Sequence, residues 1–412
     1  VENIVKPVER LRRLAPELRI AVMWYWWHAN PYDLGMPEYL PPRDRGFRDA
    51  VKRLHELGVP VIVYVNGRLW DCTTAGWLRA RRYATKDRRG EVYVEHYNRF
   101  LDHPLAVMCP ATGFWRETLA GIVERLVKDY GVDGVYIDQV AAAPPLDCFD
   151  PAHGHPLGGG SHWVEGYRAL AEEVRRRCGR PVALATEGCS EAFIGCFDLF
   201  LTLDNSSERY GRYKGREGLW RPIPLFNAVY HGYAVTYGSY ASLEDEPPYD
   251  PLWPPGRRPS PSRPLDYTKL LQFSLEEARA FVWGSTPTVH HLTLASFKER
   301  EALRFLLCLT RLRRLLKKFL LWGEWIPFKP CVEPLVKIRF LRRTIYTMPN
   351  EVSVVEGEHP AVLCSAWRFG EELCVVMVNY TSHTGKVCMG RCFIVTPRSA
   401  VAIVVKTRRL RL

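Results

Sequence analysis

No run of eighteen or more apolar residues occurs in this 412-residue chain, so it offers no candidate membrane-spanning helix. No signal-peptide pattern opens the sequence as it stands, and a cytoplasmic chain is the expectation. Lysine is scarce, 13 of the 57 basic residues against 44 arginines. The net charge of +12 is not gathered into a zinc-finger, basic-zipper or RNA-recognition signature, so no nucleic-acid partner is expected. No Cys-x-x-Cys pair occurs among the twelve cysteines, and Cys388 and Cys392 alone are closely spaced. No zinc cage, metal site or cofactor is therefore expected. Cys109, Cys308 and Cys374 lie in apolar runs, where a free cysteine serves as a small core residue. No glycine-rich turn follows the first strand, which argues against an open dinucleotide-binding sheet. A Gly-x-Ser-x-Gly elbow, a P-loop and a His-Glu-x-x-His motif are missing as well.

The chain is organised around Gly131-Val-Asp-Gly-Val-Tyr-Ile-Asp-Gln-Val140. Before it, Leu119, Ile122, Val123, Leu126, Val127 and Tyr130 recur at helical spacing. Gly131 suits the C-cap, and Val135-Tyr-Ile137 reads as a buried strand that ends at Asp138 and Gln139. Further strands are predicted at 19–27, 61–65, 105–109, 181–185, 199–203, near 223–230 and near 280–284, most of them separated by helical patterns at 46–58, 162–178 and 190–196. Eight strands in that alternation predict a (β/α)8 TIM barrel over residues 1–325, closed by a basic amphipathic helix at 298–321. Short alternating runs after residue 335 predict a small antiparallel β-sandwich domain over 326–412. The segment 242–266 reads as a long loop over the barrel's top face, and 72–103 as an insertion.

A barrel of this type carries its chemistry at the carboxyl ends of its strands. Those ends supply Trp24, Trp26 and His28; Asn66; Asp138 and Gln139; Glu187; Asp204; and Tyr230 and His231. Thirteen tryptophans and twenty tyrosines, several near strand ends, suit stacking on sugar rings. Asp138 and Glu187 fall on successive strands, and neighbouring strands lie about 4.8 Å apart. Two carboxyl groups so placed can face each other at roughly 5–5.5 Å, the separation of a retaining glycosidase, whereas about 6.5–9.5 Å would imply inversion. The acid is expected to be the more enclosed group and the nucleophile to accept more hydrogen bonds. The loop after Asp138 holds Asp147, Cys148, Asp150, His153 and His155, all capable of holding a metal. It either lines a sugar site or, with Asp138, forms the metal centre of a hydrolase. A non-catalytic carbohydrate-binding barrel is the remaining alternative.

The strings Gly-Val-Asp-Gly-Val-Tyr-Ile-Asp-Gln, Cys-Phe-Asp-Pro-Ala-His-Gly-His-Pro-Leu-Gly-Gly-Gly and Ala-Thr-Glu-Gly resemble an uncharacterised group of glycoside-hydrolase-like barrels. More distantly they are similar to endo-α-N-acetylgalactosaminidases and the α-amylase clan. The resemblance spans most of 19–322. It implies an Asp nucleophile at Asp138, a Glu acid/base at Glu187, cleavage of α-glycosidic bonds and an oligo- or polysaccharide substrate. The clan's further Asp near strand seven has no counterpart here; that strand offers Asn227, Tyr230 and His231.

Overall fold

The computed structural model describes residues 2–30, 34–97, 102–209, 222–238, 241–243, 265–331, 334–342 and 353–406. They divide into two compact units: residues 2–13 and 19–200, and residues 14–18 and 201–406. Most of the predicted 242–266 loop lies outside the described residues.

The first unit contains, in chain order, α1 (Glu2–Leu14), β1 (Val22–Trp24), α2 (Phe47–Glu56), β2 (Val61–Asn66), β3 (Leu69–Asp71), α3 (Trp77–Ala80), β4 (Val94–Glu95), β5 (Leu105–Val107), α4 (Gly113–Tyr130), β6 (Gly134–Asp138), α5 (His162–Cys178), β7 (Ala183–Glu187) and β8 (Leu199–Leu201). Its main sheet runs β1-β2-β6-β7-β8. The pairs β1–β2, β2–β6 and β6–β7 are parallel. Register sets Tyr64 beside Tyr136 and Asn66 beside Asp138. Ile137 lies beside Thr186, so Asp138 and Glu187 take the next pair of positions. α4 follows the predicted pattern, with Leu119, Val123, Leu126 and Val127 buried and Gly131 at φ 79° as its C-cap. Gly134 is required by close strand approach: a Cβ there would stand 2.6 Å from the Ala183 carbonyl.

The predicted strand at 105–109 is corrected. β5 pairs antiparallel with β3 and β4 in a separate three-stranded sheet, and β2 joins β6 directly. Leu105-Ala-Val107 is fully buried in either setting, so its apolar run does not distinguish them. Asp138 and Glu187 therefore end the third and fourth strands of the parallel sheet. The helix predicted at 190–196 is a single 3-10 turn at Glu191–Phe193.

The second unit contains α6 (Leu225–Tyr230), β9 (Val235–Tyr237), α7 (Tyr267–Val282), α8 (Arg300–Leu315), α9 (Lys317–Leu320), β10 (Glu324–Ile326), β11 (Leu335–Arg342), β12 (Ser353–Pro360), β13 (Val362–Phe369), β14 (Glu372–Asn379), β15 (Gly385–Met389), β16 (Arg391–Val395) and β17 (Ser399–Lys406). Strands predicted near 223–230 and 280–284 are corrected to helices α6 and the end of α7. α7 is buried at every residue from Leu271 to Val282. A helix buried all round shows no polar face, so its tail reads as an apolar strand. An antiparallel sheet of order β10-β13-β14-β17 and the β11–β12 ladder share one core with α7 and α8, including Leu275, Phe281, Phe305, Phe340, Trp367 and Val376. Within that unit Glu208 pairs with Arg279 and Glu276 with Arg209, all largely buried. Cys388 and Cys392 form a disulfide across the β15–β16 hairpin.

Candidate active site

Alternation along β2 and β6 turns Tyr64, Asn66, Tyr136 and Asp138 to one face of the sheet and Val63, Val65, Val135 and Ile137 to the other. The valine face packs on helices; the tyrosine face carries the polar groups. Tyr64 Oη donates to Asp138 Oδ2 and Tyr136 Oη to Asp138 Oδ1, each at 3.0 Å. Glu187 and the Gln139 backbone N–H also favour the charged carboxyl. Burial pushes the Asp138 carboxyl above the usual carboxylate range, and those four partners pull it partly back. The Glu187 carboxyl is thus among the groups that act directly on the Asp138 carboxyl. Two neighbouring carboxylates do not both ionise readily.

Gln139 sits at φ 67°, in the left-handed region that non-glycine residues rarely occupy. Its side chain accepts from Asn66 Nδ2 at 3.1 Å and donates to Tyr97 Oη at 2.8 Å. Tyr97 donates to Glu95 at 2.7 Å, and Glu95 receives the buried Arg68 guanidinium at 2.8 Å. Arg68 also donates to the Pro144 carbonyl at 3.0 Å and lies over the Trp163 ring. Asn66 Oδ1 in turn accepts the backbone N–H groups of Arg68 and Leu69, both at 2.8 Å. Between them, Gly67 leaves no room for a side chain: a Cβ would lie 2.6 Å from Ile137 Cγ2. Its carbonyl accepts from Trp115 at 3.1 Å and Tyr167 at 3.0 Å, fixing α4 and α5 to the end of β2.

The predicted residues separate into groups. Asp138, Glu187, Asn66 and Gln139 come together as described. Trp24 shares the valine face and is buried against Phe47 of α2, at 4.9 Å between rings. Tyr25, not Trp24, is the ring beside Tyr64, at 4.1 Å. Trp26 is partly buried, edge-on to Tyr25. His28 is buried beside Tyr39, and burial lowers its pKa to about 4, so the imidazole is neutral. His153 and His155 lie with Cys109 and Cys148. Asp204, Tyr230 and His231 belong to the second unit. There Asp204 is exposed, Tyr230 packs on Phe226, and His231 is buried against Trp367 at 4.5 Å. Sequence reasoning missed Tyr25, Tyr64, Tyr97, Tyr136, Arg68 and Cys109. For Tyr136, two residues before Asp138, and Tyr64, two residues before Asn66, strand parity was the available signal.

The chain belongs to the family described as "Domain of unknown function (DUF6259)", which matches residues 1–241. It is 28% identical over 347 residues to a protein of Bacteroides thetaiotaomicron named "Putative glycoside hydrolase", covering 82% of this chain and 46% of that protein. It is 33% identical over 252 residues to "Putative glycoside hydrolase 22789" of Monosiga brevicollis, covering 57% of this chain and 20% of that one. The chain thus spans less than half the length of either relative. In fold it is similar to the ligand-free α-N-acetylgalactosaminidase NagBb of Bifidobacterium bifidum, with a TM-score of 0.57, 15% identity, and coverage of 91% of this chain and 50% of that one. A "noncanonic maltogenic alpha-amylase" of Thermotoga neapolitana aligns at a TM-score of 0.56 and 14% identity, covering 98% and 92% of the two chains.

Proposed function

We propose that the protein is a retaining glycoside hydrolase of α-linked sugars, with Asp138 as nucleophile and Glu187 as acid/base. The observation that carries this reading is the pairing of the two carboxyl groups at the carboxyl ends of adjacent parallel strands. The relatives named as glycoside hydrolases agree with it. Glu187 protonates the glycosidic oxygen as an Asp138 oxygen attacks the anomeric carbon and the C–O bond breaks. Glu187 then takes a proton from water, and the water oxygen displaces Asp138 from the sugar. The two tyrosine hydroxyls and the Gln139 N–H stabilise the Asp138 carboxylate each time it is released. Asn66 and Gln139, with Tyr25 and Trp26 as ring surfaces, are the sugar-binding groups of this reading. Its fold component is a (β/α)8 barrel over residues 1–325 and a β-sandwich over 326–412, supported by β1, β2, β6, β7 and β8 and by the likeness to the two glycosidases.

The experiment is hydrolysis of a panel of aryl α- and β-glycosides and polysaccharides, with NMR of the first anomer released. The expected result is an α-glycoside cleaved to the α-anomer. Release of the β-anomer would overturn retention, and near-normal activity in Asp138→Asn would overturn the assignment itself.

A further inference from the structure

Cys109, Cys148, His153 and His155 form a cluster that glycoside hydrolysis does not use. One sulfur or ring nitrogen from each lies within 4.8 Å of all the others. Cys109 Sγ is 3.5 Å from His155 Nε2, and Cys148 Sγ is 3.3 Å from His153 Nδ1. A tetrahedral zinc with Zn–S of about 2.3 Å and Zn–N of about 2.0 Å has S···N edges of roughly 3.5 Å. Both cysteines are fully buried and His153 nearly so, while His155 is partly exposed at the rim.

The two rings are held in the tautomers that ligation needs. His153 Nε2 lies 2.9 Å from the Arg82 carbonyl. A carbonyl only accepts, so Nε2 carries the proton and the Nδ1 lone pair faces Cys148. His155 Nδ1 lies 2.8 Å from the Pro156 carbonyl, so it carries the proton and the Nε2 lone pair faces Cys109. A backbone carbonyl on the far nitrogen is the support that metal-ligating histidines receive.

We propose that Cys109, Cys148, His153 and His155 bind one structural Zn2+ ion. Two thiolates neutralise the dication, so the filled site is uncharged and suits burial. Binding releases the two thiol protons to solvent. Four protein ligands complete the tetrahedron and leave no position for a reacting water, which separates this site from a catalytic zinc. The ion ties the end of β5 to the loop that leads from Gln139 to α5. The sequence conceals the site because its ligands come from two segments 39 residues apart, Cys109 and Cys148, with no Cys-x-x-Cys between them.

The test is elemental analysis of the full chain produced with zinc in the medium and then desalted. One zinc per chain is expected, lost in Cys148→Ser and in the rim variant His155→Ala. Chelation should speed proteolytic cleavage within residues 147–160, and Co2+ reconstitution should give the visible bands of a tetrahedral thiolate site. Three results would each overturn the proposal: folded wild-type protein that takes up no zinc from excess Zn2+, a Cys109–Cys148 disulfide in the fresh protein by mass spectrometry, or full zinc retention by both variants.

Discussion

Asn66 and Gln139 are joined side chain to side chain across adjacent strands, Asn66 Nδ2 donating to Gln139 Oε1 at 3.1 Å. The bond holds Gln139 at a left-handed φ immediately after Asp138. Gln139→Gly should relieve the strain and raise stability by up to about 1 kcal/mol. It should also free the Asp138 backbone and lower kcat by about tenfold, the cost of roughly 1.4 kcal/mol in the transition state. Denaturant midpoints and steady-state kinetics on one preparation would check both directions; a variant that is less stable and fully active contradicts the argument.

Asp138→Asn should abolish turnover and keep sugar binding, measured by calorimetry. Glu187→Gln should slow substrates with poor leaving groups by about 10²–10⁴-fold, the usual worth of a general acid, and activated aryl glycosides far less. Equal losses on both substrate types would remove Glu187 from the acid role.

Tyr64→Phe and Tyr136→Phe each take one donor from Asp138. A hydrogen bond to a charged group contributes about 1.5–3 kcal/mol, or roughly one to two pKa units. Burial already raises Asp138, and losing a donor to its charged form raises it further. The acid limb of kcat/KM should therefore move to higher pH in both variants. A limb that stays in place would show that Asp138 is not the group titrating there.

His28 is buried neutral, its pKa lowered from 6.5 to about 4. Between those values the unfolded chain binds the proton more readily, so folding stability falls as pH drops through that window and is fully present above it. The loss reaches about 3 kcal/mol at the low end. His28→Phe should flatten stability between pH 7 and 5 in urea titrations; an unchanged slope would place the acid sensitivity elsewhere.

Glu208 and Arg279 form a buried pair, with Arg279 Nη1 2.7 Å from Glu208 Oε2. Removing one partner strands the other charge, so Glu208→Gln should cost about 3–5 kcal/mol. The double change Glu208→Leu with Arg279→Met should recover part of it, because no charge is then stranded and the Asn205 carbonyl alone loses its donor. Thermal melts of both variants test the coupling.

Helices and strands with one buried face were legible in the sequence. α4 and α5 sit where their periodicity puts them, since each has a buried and an exposed face, and β6 was marked by its short apolar run after the Gly131 cap. The tail of α7 and the β5 strand were not, because elements buried on every side have no periodicity to read. At the site, the strand ends marked Asp138, Glu187, Asn66 and Gln139. The supporting tyrosines, Arg68 and the partner of Cys148 were hidden for another reason. Their roles depend on which face of a strand they take and on pairings dozens of residues away.

The excursion from Arg68 to Val107 leaves β2 and returns without joining the parallel sheet, yet it supplies Arg68, Glu95 and Tyr97 to the chain of hydrogen bonds ending at Gln139. The same excursion is tied to the rest of the unit through Trp70 on Trp115, Lys86 on Asp150 and the Arg82 carbonyl on His153. A change at Glu95 or Tyr97 would therefore be felt at the residue next to Asp138 although neither side chain touches the parallel sheet's strand pairing.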